Sequence, residues 1–180
     1  MTAPSPESVG WTVRAARPDD AAGVIALLIA IFAEPVNNLL TEPGEFTMTE
    51  EQERAFLAEQ AIRPNWSAFV AVTDERPARV VGLVTADGKQ RRAVRHCASV
   101  GLSVAREWRR QGVGEALMRR VIAWARESGV VTRLELEVLT RNASAIRLYE
   151  RVGFQREGLR RHALLRHGDY LDELFMALLL

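Results

Sequence analysis

The stretch from Arg106 to Ala125, REWRRQGVGEALMRRVIAWA, constrains the fold more than any other part of the chain. The alternating run HCASVGLSV before it predicts a strand that ends at Val104. Gly112 and Gly114 follow in a turn, and the apolar residues after them recur on one face of a helix. A strand that passes through a tight turn into an amphipathic helix predicts a crossover to a further strand, here RLELEV.

Shorter elements surround this crossover. Strands are predicted in WTVRAA, SAFVAV, ARVVGLVTA, FQREGLRRHALL and YLDELFMALLL. Helices are predicted after a cap at Asp19 or Asp20, from the cap Thr49 to before Pro64 with Gln52 completing a capping box, and from 142 to 152. The predicted order is β-α-α-β-β-β-α-β-α-β-β, an α/β (α+β) arrangement of antiparallel hairpins with one central crossover.

Length and composition favour one compact unit. The chain has 180 residues, 48% of them hydrophobic, which suits a single domain over residues 11–180 behind a disordered tail at residues 1–10. The tail has neither the basic nor the apolar region of an export signal. The longest run without a polar residue, Ala21–Ala33, is shorter than the roughly 20 residues that a membrane span needs. Together with the single cysteine, these features predict a cytoplasmic protein.

The overall charge argues against a polyanionic partner. With 24 basic and 23 acidic residues the formal charge is +1, so we expect no nucleic-acid partner and no membrane partner. The run KQRRAVRH is basic but has no interleaved aromatic residues, which favours a solvated hairpin. No group of His, Cys and Asp has metal-ligand spacing, so no metal is expected. Any anion must therefore be recognised locally.

The glycine turn has two interpretations. The first turn of a helix exposes unpaired amides that carry roughly half a positive charge, and glycine lets a phosphate approach them. Alternatively, the glycines only relieve steric crowding in a tight turn. The stretch lacks the lysine and hydroxyl residue of a P-loop and the third glycine of a dinucleotide fingerprint, so neither of those phosphate motifs applies.

Two linked motifs resemble those of a known family. Arg109 to Gly114 reads R-x-x-G-x-G, and Asn142 to Phe154 reads N-x-x-A-x-x-L-Y-x-x-x-G-F. In this order and setting they resemble the acetyl-CoA signature and a following helix of the GNAT superfamily of N-acetyltransferases. The tripeptide LEV at 136–138 resembles a strand of the ribosomal-protein alanine acetyltransferases. The resemblance extends from Trp11 onward and weakens between Phe32 and Trp66.

The resemblance implies the GNAT fold, a mixed central sheet of six to seven strands flanked by about four helices. It also implies acetyl-CoA as the co-substrate and no metal. Backbone groups at the end of the fourth strand would pair with the pantetheine arm as an extra strand does, and amides of the glycine turn would receive the pyrophosphate. The implied cofactor-binding residues are Leu102, Ser103, Val104, Arg109, Arg110, Gln111, Gly112, Val113, Gly114 and Asn142.

The resemblance implies catalytic roles for Tyr149 and Glu137. In the family the tyrosine hydroxyl points at the thioester sulfur, where a phenol can give a proton to the departing thiolate. Glu137 matches a glutamate proposed as the base in the ribosomal-protein enzymes; the alternatives are a simple ion pair at Glu137, or His96 as the base. Ala98 stands where the histone acetyltransferases have their glutamate base, so their mechanism is not implied.

The implied activity is transfer of an acetyl group from acetyl-CoA to a primary amine by direct attack in a ternary complex. The acceptor stays open between a small amine, an amino acid, an aminoglycoside and a protein N-terminus, and a homodimer stays open too. The alternative is an acyl-CoA-binding sensor or assembly module with little catalysis. Asn142 either binds the cofactor or only caps its helix, and Asp172 and Glu173 either meet a cationic substrate or face water.

Overall fold

A computed structural model describes residues 10–35 and 38–180 of the chain. The predicted tail at residues 1–10 therefore lies outside the described residues, except for Gly10. The described residues form seven β-strands and four α-helices in the predicted order, with short turns of 3-10 helix between some of them. The predicted mixed sheet with about four helices is confirmed.

The strands and helices have the following bounds. The strands are β1 Trp11–Ala15, β2 Trp66–Thr73, β3 Val80–Gly88, β4 Cys97–Val104, β5 Arg133–Leu139, β6 Gln155–Arg166 and β7 Asp169–Leu179. The helices are α1 Ala21–Phe32, α2 Glu50–Ala58, α3 Val113–Glu127 and α4 Ala143–Arg151. Over residues 10–35 and 38–180, every helix is too short or too polar to span a lipid bilayer.

The start of α2 has the predicted capping box. The Gln52 amide donates to Thr49 Oγ1 at 3.2 Å, and the Thr49 amide donates to Gln52 Oε1 at 2.9 Å. Two of the donors that a helix start leaves unpaired are thereby satisfied. The helix continues into a 3-10 turn at Glu59–Ala61 and so ends before Pro64, as predicted.

The seven strands form one sheet in the order β1-β2-β3-β4-β5-β7-β6. All neighbours are antiparallel except β4 and β5, which are parallel. Parallel strands need a long connection, because the chain must return to the same end of the sheet, and α3 provides it. The predicted crossover is therefore confirmed, and it lies in the middle of the sheet.

Two apolar cores cover the two faces of the sheet. Alternation along β5 turns Leu134, Leu136 and Val138 into the core that also contains the buried sides of α3 and α4. The other core lies between the sheet and the helices α1 and α2. The same alternation turns Glu135 and Glu137 to that other face. The two carboxylates of this central strand thus lie on the face of the sheet that α1 and α2 cover elsewhere.

Leu117 tests the packing that holds α3, the helix that begins at the glycine turn. Its side chain is fully buried in the core. We predict that Leu117→Ala lowers the free energy of unfolding by about 2–5 kcal/mol, because it removes buried methyl groups and leaves a cavity. The matched control is Leu179→Ala, at a residue that is 71% exposed, with an expected change of about 0.5 kcal/mol or less.

Urea denaturation followed by tryptophan fluorescence measures both free energies. Equal losses in Leu117→Ala and Leu179→Ala would contradict the assignment of Leu117 to the core.

Candidate functional site

The two central strands separate part of the way along the sheet. β4 and β5 are paired at three positions, from Cys97↔Arg133 to Ser99↔Glu135. From Val100 to Val104, β4 is paired with β3 alone. The side of β4 that faces β5 is therefore open over the second half of the strand.

The alternation of backbone hydrogen bonds decides which groups face this gap. The amide of Ala105 donates to the carbonyl of Val81, on the β3 side, at 2.9 Å. Because the direction of hydrogen bonding alternates along a strand, the backbone groups of Leu102 and Val104 point the other way, into the gap. Those of Ser103 point toward β3. An extended ligand can pair with Leu102 and Val104 as an additional strand does.

A cleft of about 520 Å³ opens beside this gap, and small-molecule sites are typically about 300–1,000 Å³. We call it the first cleft. Ten of the twelve residues predicted from the sequence line it: Leu102, Ser103, Val104, Arg109, Arg110, Gly112, Gly114, Glu137, Asn142 and Tyr149. The Val113 side chain is instead fully buried in the core, and the Gln111 side chain donates to the carbonyl of Glu107. The fold thus brings most of the predicted residues around one opening.

The two glycines of the turn serve different purposes. Gly112 is the N-cap of α3 and has a φ of 85°, in the left-handed region that glycine adopts without strain. A Cβ on Gly114 would lie 3.3 Å from the Leu148 side chain of α4. The first helical hydrogen bond runs from the Ala116 amide to the Gly112 carbonyl, at 3.0 Å. The amides of residues 113–115 therefore precede the hydrogen-bonded part of the helix and are available to an anion.

Arg109 and Arg110, adjacent in sequence, have different surroundings. The Arg109 guanidinium donates to both carboxylate oxygens of Glu34, at 2.8 and 2.6 Å, and its Nε donates to the carbonyl of Val104 at 2.9 Å. Arg110 is exposed and has no ion pair among the described residues. The charge of Arg109 is therefore compensated, whereas that of Arg110 is not. Sequence reasoning did not identify Glu34, because its partner lies 75 positions away.

Tyr149 lies on α4 with its ring packed 6.0 Å from that of Phe154. The residue is 8% exposed and still lines the first cleft. Burial raises the pKa of Tyr149 to about 12, because the phenolate loses its hydration in the core. At neutral pH the hydroxyl is therefore protonated and can donate a proton. Tyr149 is therefore a core residue that also lines the first cleft.

Asn142 caps α4 and also lines the first cleft. Its side-chain oxygen accepts hydrogen bonds from the Ala145 amide at 3.3 Å and from the Ser144 hydroxyl at 3.1 Å. Capping alone satisfies the oxygen, as the sequence allowed.

A second cleft, of about 410 Å³, adjoins the first. The two clefts share five lining residues: Asn38, Leu39, Val100, Ser103 and Glu137. The charged residues of the second cleft are Lys89, Glu135, Glu137 and Glu173. Glu137 therefore lies where the clefts meet, and its carboxylate forms an ion pair with Arg160 of β6.

Glu135 is held between two cations. Lys89 and Arg133 contact its carboxylate at 2.6 and 3.1 Å. Burial disfavours the charged form, but the hydrogen bonds from these two side chains outweigh it and lower the pKa of Glu135. The Glu135 carboxylate is therefore ionised, and the two cations compensate its charge.

Glu173 of β7 is buried at the same cleft. It is 5% exposed, and its one ion-pair partner among the described residues is Arg160, at 3.3 Å, which also binds Glu137. Burial and the charge of Glu137 raise the pKa of Glu173, and Arg160 opposes them only in part. The sequence left two alternatives for Glu173, contact with a cationic substrate or with water. Its small exposed fraction leaves little contact with water.

His96 is not part of this arrangement, and the described residues contain no group of metal ligands. His96 is exposed just before β4 and lines neither cleft. Within residues 10–35 and 38–180, no three His, Cys, Asp or Glu side chains are grouped so that they could hold a metal ion.

Comparisons with known proteins agree with the geometry. The model of the Acetyltransferase (GNAT) family matches residues 33–154. The L-amino acid N-acetyltransferase AaaT of Escherichia coli K12 is 39% identical over 117 residues, 65% of this chain and 70% of that protein. The [ribosomal protein bS18]-alanine N-acetyltransferase of the same strain is 39% identical over 77 residues, 43% of this chain and 51% of that protein. The predicted resemblance to the family, and to the ribosomal-protein enzymes, is confirmed.

Solved structures share the fold over nearly the whole chain. The GNAT-family acetyltransferase of Streptococcus pneumoniae has a TM-score of 0.89 at 29% identity, covering 95% of this chain and 100% of that one. An acetyltransferase of Salmonella typhimurium, solved with its cofactor acetyl-CoA, has a TM-score of 0.80 at 22% identity, covering 94% and 93%. At that identity the second likeness concerns the fold alone.

The buried position of Tyr149 can be tested by titration. The chain has two tyrosines, Tyr149 and Tyr170. We predict that the phenolate absorbance of the native protein and of Tyr149→Phe rises identically up to about pH 11, because Tyr149 ionises near pH 12. Circular dichroism at each pH identifies the range in which the fold persists. A difference between the curves with a midpoint near pH 10, the ordinary value of a phenol, would contradict the burial of the hydroxyl.

Proposed function

The chain belongs to the GNAT family of acetyltransferases, and we propose that it moves the acetyl group of acetyl-CoA to a primary amine by direct attack while both are bound. The observation that carries this proposal is the open side of β4. Its strand-pairing groups at Leu102 and Val104 lie in the same cleft as the unpaired amides that begin α3. One opening thus offers partners for an extended amide chain and for a phosphate.

Acetyl-CoA has the matching chemistry at its two ends. Its pantetheine arm contains amides that can pair with the backbone of Leu102 and with the amide of Val104. The Val104 carbonyl already accepts from Arg109. The pyrophosphate of acetyl-CoA suits the amides of residues 113–115, which remain accessible because Gly114 has no side chain. The guanidinium of Arg110 adds a positive charge there. The same fold holds acetyl-CoA in the Salmonella protein.

Proton transfers must accompany the formation of the amide. An amine attacks only as the neutral form, so the ammonium first gives a proton to a base. We assign that role to Glu137, which lines both clefts and so lies where the two substrates meet. Glu137 passes this first proton to solvent; as the carbon–sulfur bond breaks, the nitrogen loses a second proton to water and the thiolate gains one. The hydroxyl of Tyr149, protonated at neutral pH, supplies the proton to sulfur and is restored from solvent.

The acceptor belongs to the class of α-amines in this proposal. The relatives are named for an L-amino acid and for an alanine of a ribosomal protein. Both names place the acetyl group on the nitrogen of an amino acid or of an amino-acid residue. Residues 11–180 act as one acetyltransferase domain, since all seven described strands belong to a single sheet.

Tyr149→Phe tests catalysis against simple cofactor binding. We predict that kcat falls by about 100-fold, the lower range for loss of a general acid, while the KM for acetyl-CoA stays within about two-fold because the ring and its packing remain. Thiol release from acetyl-CoA, measured with a panel of α-amines, gives both constants. The matched control is Tyr170→Phe, at an exposed tyrosine outside both clefts, which should retain the native rate.

Two results would contradict the proposal. Equal rates for the native protein and Tyr149→Phe would remove the hydroxyl from the reaction. Tight acetyl-CoA binding without thiol release for any amine in the panel would instead support a sensor or assembly module.

Arg110→Gln tests where the pyrophosphate lies. We predict that the Kd for CoA rises about five-fold at low salt, as for loss of an exposed ion pair, and that its salt dependence becomes flatter. The matched control is Arg147→Gln, at an exposed arginine of α4 that lines neither cleft. Isothermal titration at two salt concentrations measures both variants. Equal Kd values for the two variants would argue against pyrophosphate at the glycine turn.

A further inference from the structure

The second cleft distinguishes between classes of acceptor. We propose that it receives a primary ammonium ion that carries an apolar group and no carboxylate, and that Glu137 and Glu173 bind the ammonium. The inference rests on the proposed acetyl transfer, which requires a second substrate beside the first cleft. It goes further by selecting one acceptor class and by assigning Glu173 to its recognition.

The position of the cleft is the first argument. It joins the first cleft at Val100, Ser103 and Glu137, where β4 and β5 begin to separate. An amine in the second cleft can therefore approach a thioester that lies along the open side of β4. The cleft has a volume of about 410 Å³, within the range of about 300–1,000 Å³ for small-molecule sites.

The balance of charge is the second argument. Lys89 and Arg133 neutralise Glu135, and Arg133 also binds Glu157 of β6, so these four side chains carry no net charge. Glu137 and Glu173, in contrast, share the single guanidinium of Arg160. In the ion pairs of the described residues, these two carboxylates therefore exceed the guanidinium by one negative charge at the junction of the clefts.

Arg141 and Arg166, which contact residues of the second cleft, are held by other partners: the Arg141 guanidinium donates to Asn38 Oδ1 at 3.1 Å. Arg166 is buried and donates to the carbonyl oxygens of Leu39 and Leu40 while it also faces Glu42. The Asp172 carboxylate accepts a hydrogen bond from the amide of His162 at 2.8 Å, and alternation along β7 turns it to the opposite side of the strand from Glu173. Within the described part of the chain, the charged groups around Glu173 therefore favour a cationic ligand.

The burial of Glu173 makes this imbalance costly. At 5% exposure its carboxylate has little water to stabilise it, and a buried charge needs a paired partner. An ammonium ion provides that partner through hydrogen bonds to the carboxylate. A carboxylate on the same ligand would be brought close to these like charges, which opposes binding. A free amino acid carries such a carboxylate, whereas an amino-acid amide or a peptide N-terminus has a neutral carbonyl there.

The remaining walls of the cleft favour an apolar substituent. Its large apolar lining residues include Phe32, Leu39, Leu40, Leu139, Leu164 and Phe175. Burial of an apolar group against such walls stabilises the complex because it removes apolar surface from water. The acceptor class is thus an apolar α-amine whose carboxyl group is blocked.

L-Leucinamide and L-leucine test this assignment, because they differ only in the group next to the amine carbon. Titration calorimetry is carried out near pH 7 on protein saturated with CoA, so that no acetyl transfer occurs and α-amines with a pKa of about 8 are mostly protonated. We expect leucinamide to bind at least about ten-fold tighter than leucine, since a like charge is avoided. A tripeptide amide that begins with leucine is the third probe: tighter binding than leucinamide indicates a peptide N-terminus, and weaker binding a small amine.

Three variants make the test specific to Glu173. Glu173→Gln keeps the shape of the side chain, and we expect it to weaken leucinamide about ten-fold and to reduce its advantage over leucine. Glu127→Gln is the matched control, at an exposed glutamate of α3 that lines neither cleft, and should leave both affinities unchanged. Arg160→Gln removes the competing cation, so it should increase the affinity for leucinamide several-fold. Loss of folding weakens binding, so it cannot produce this increase in affinity.

The outcomes separate this inference from the proposed function. Equal or tighter binding of leucine, no binding of any probe, or unchanged affinity in Glu173→Gln overturns the acceptor assignment, even where acetyl transfer is observed. Preferential binding of leucinamide without consumption of acetyl-CoA upholds the assignment and contradicts acetyl transfer.

Discussion

The separation of β4 and β5 after three paired positions is the constraint on which the rest of the site depends. Backbone donors and acceptors inside a protein need partners, and a strand in the middle of a sheet normally finds them on both sides. Here the second half of β4 has a neighbour on one side only. Because the open side lies between two packed cores, it is a slot and not an outer edge that could pair with another chain. The crossover then places the start of α3 immediately after the slot, so that one continuous segment provides strand partners and helix amides.

Charge in the site is set by pairing and not by the number of charged residues. The chain as a whole is nearly neutral, and recognition was therefore expected to be local. Glu34 neutralises Arg109, whereas Arg110, at the α3 end of the first cleft, has no ion-pair partner among the described residues. At the other end, Arg160 is divided between Glu137 and Glu173. The joined clefts thus run from a positive end to a negative end, which matches an anionic acyl donor and a cationic acceptor.

The parts of this arrangement that were predictable from sequence are those with local causes. The Thr49 capping box, the glycine turn and the two motifs depend on residues a few positions apart, and the structure contains them as expected. The site also required contacts between distant segments. Glu34 meets Arg109, and Arg160 meets Glu173, through tertiary packing that no spacing rule encodes. Alternation placed Glu135 and Glu137 on one face, but it could not indicate which cations would accompany them.

Gly112 and Gly114 set two different limits on inherited variation. At position 112 the backbone has a φ of 85°, and any residue with a Cβ loses roughly 1–2 kcal/mol there, so folding itself selects glycine. At position 114 the backbone is helical, and a methyl group would meet only the movable ends of the Leu148, Leu102 and Val104 side chains, at 3.3 to 3.7 Å. Descendants of this chain can therefore accept alanine at 114 as soon as the ligand allows it, whereas a change at 112 first requires compensating stability elsewhere in the protein.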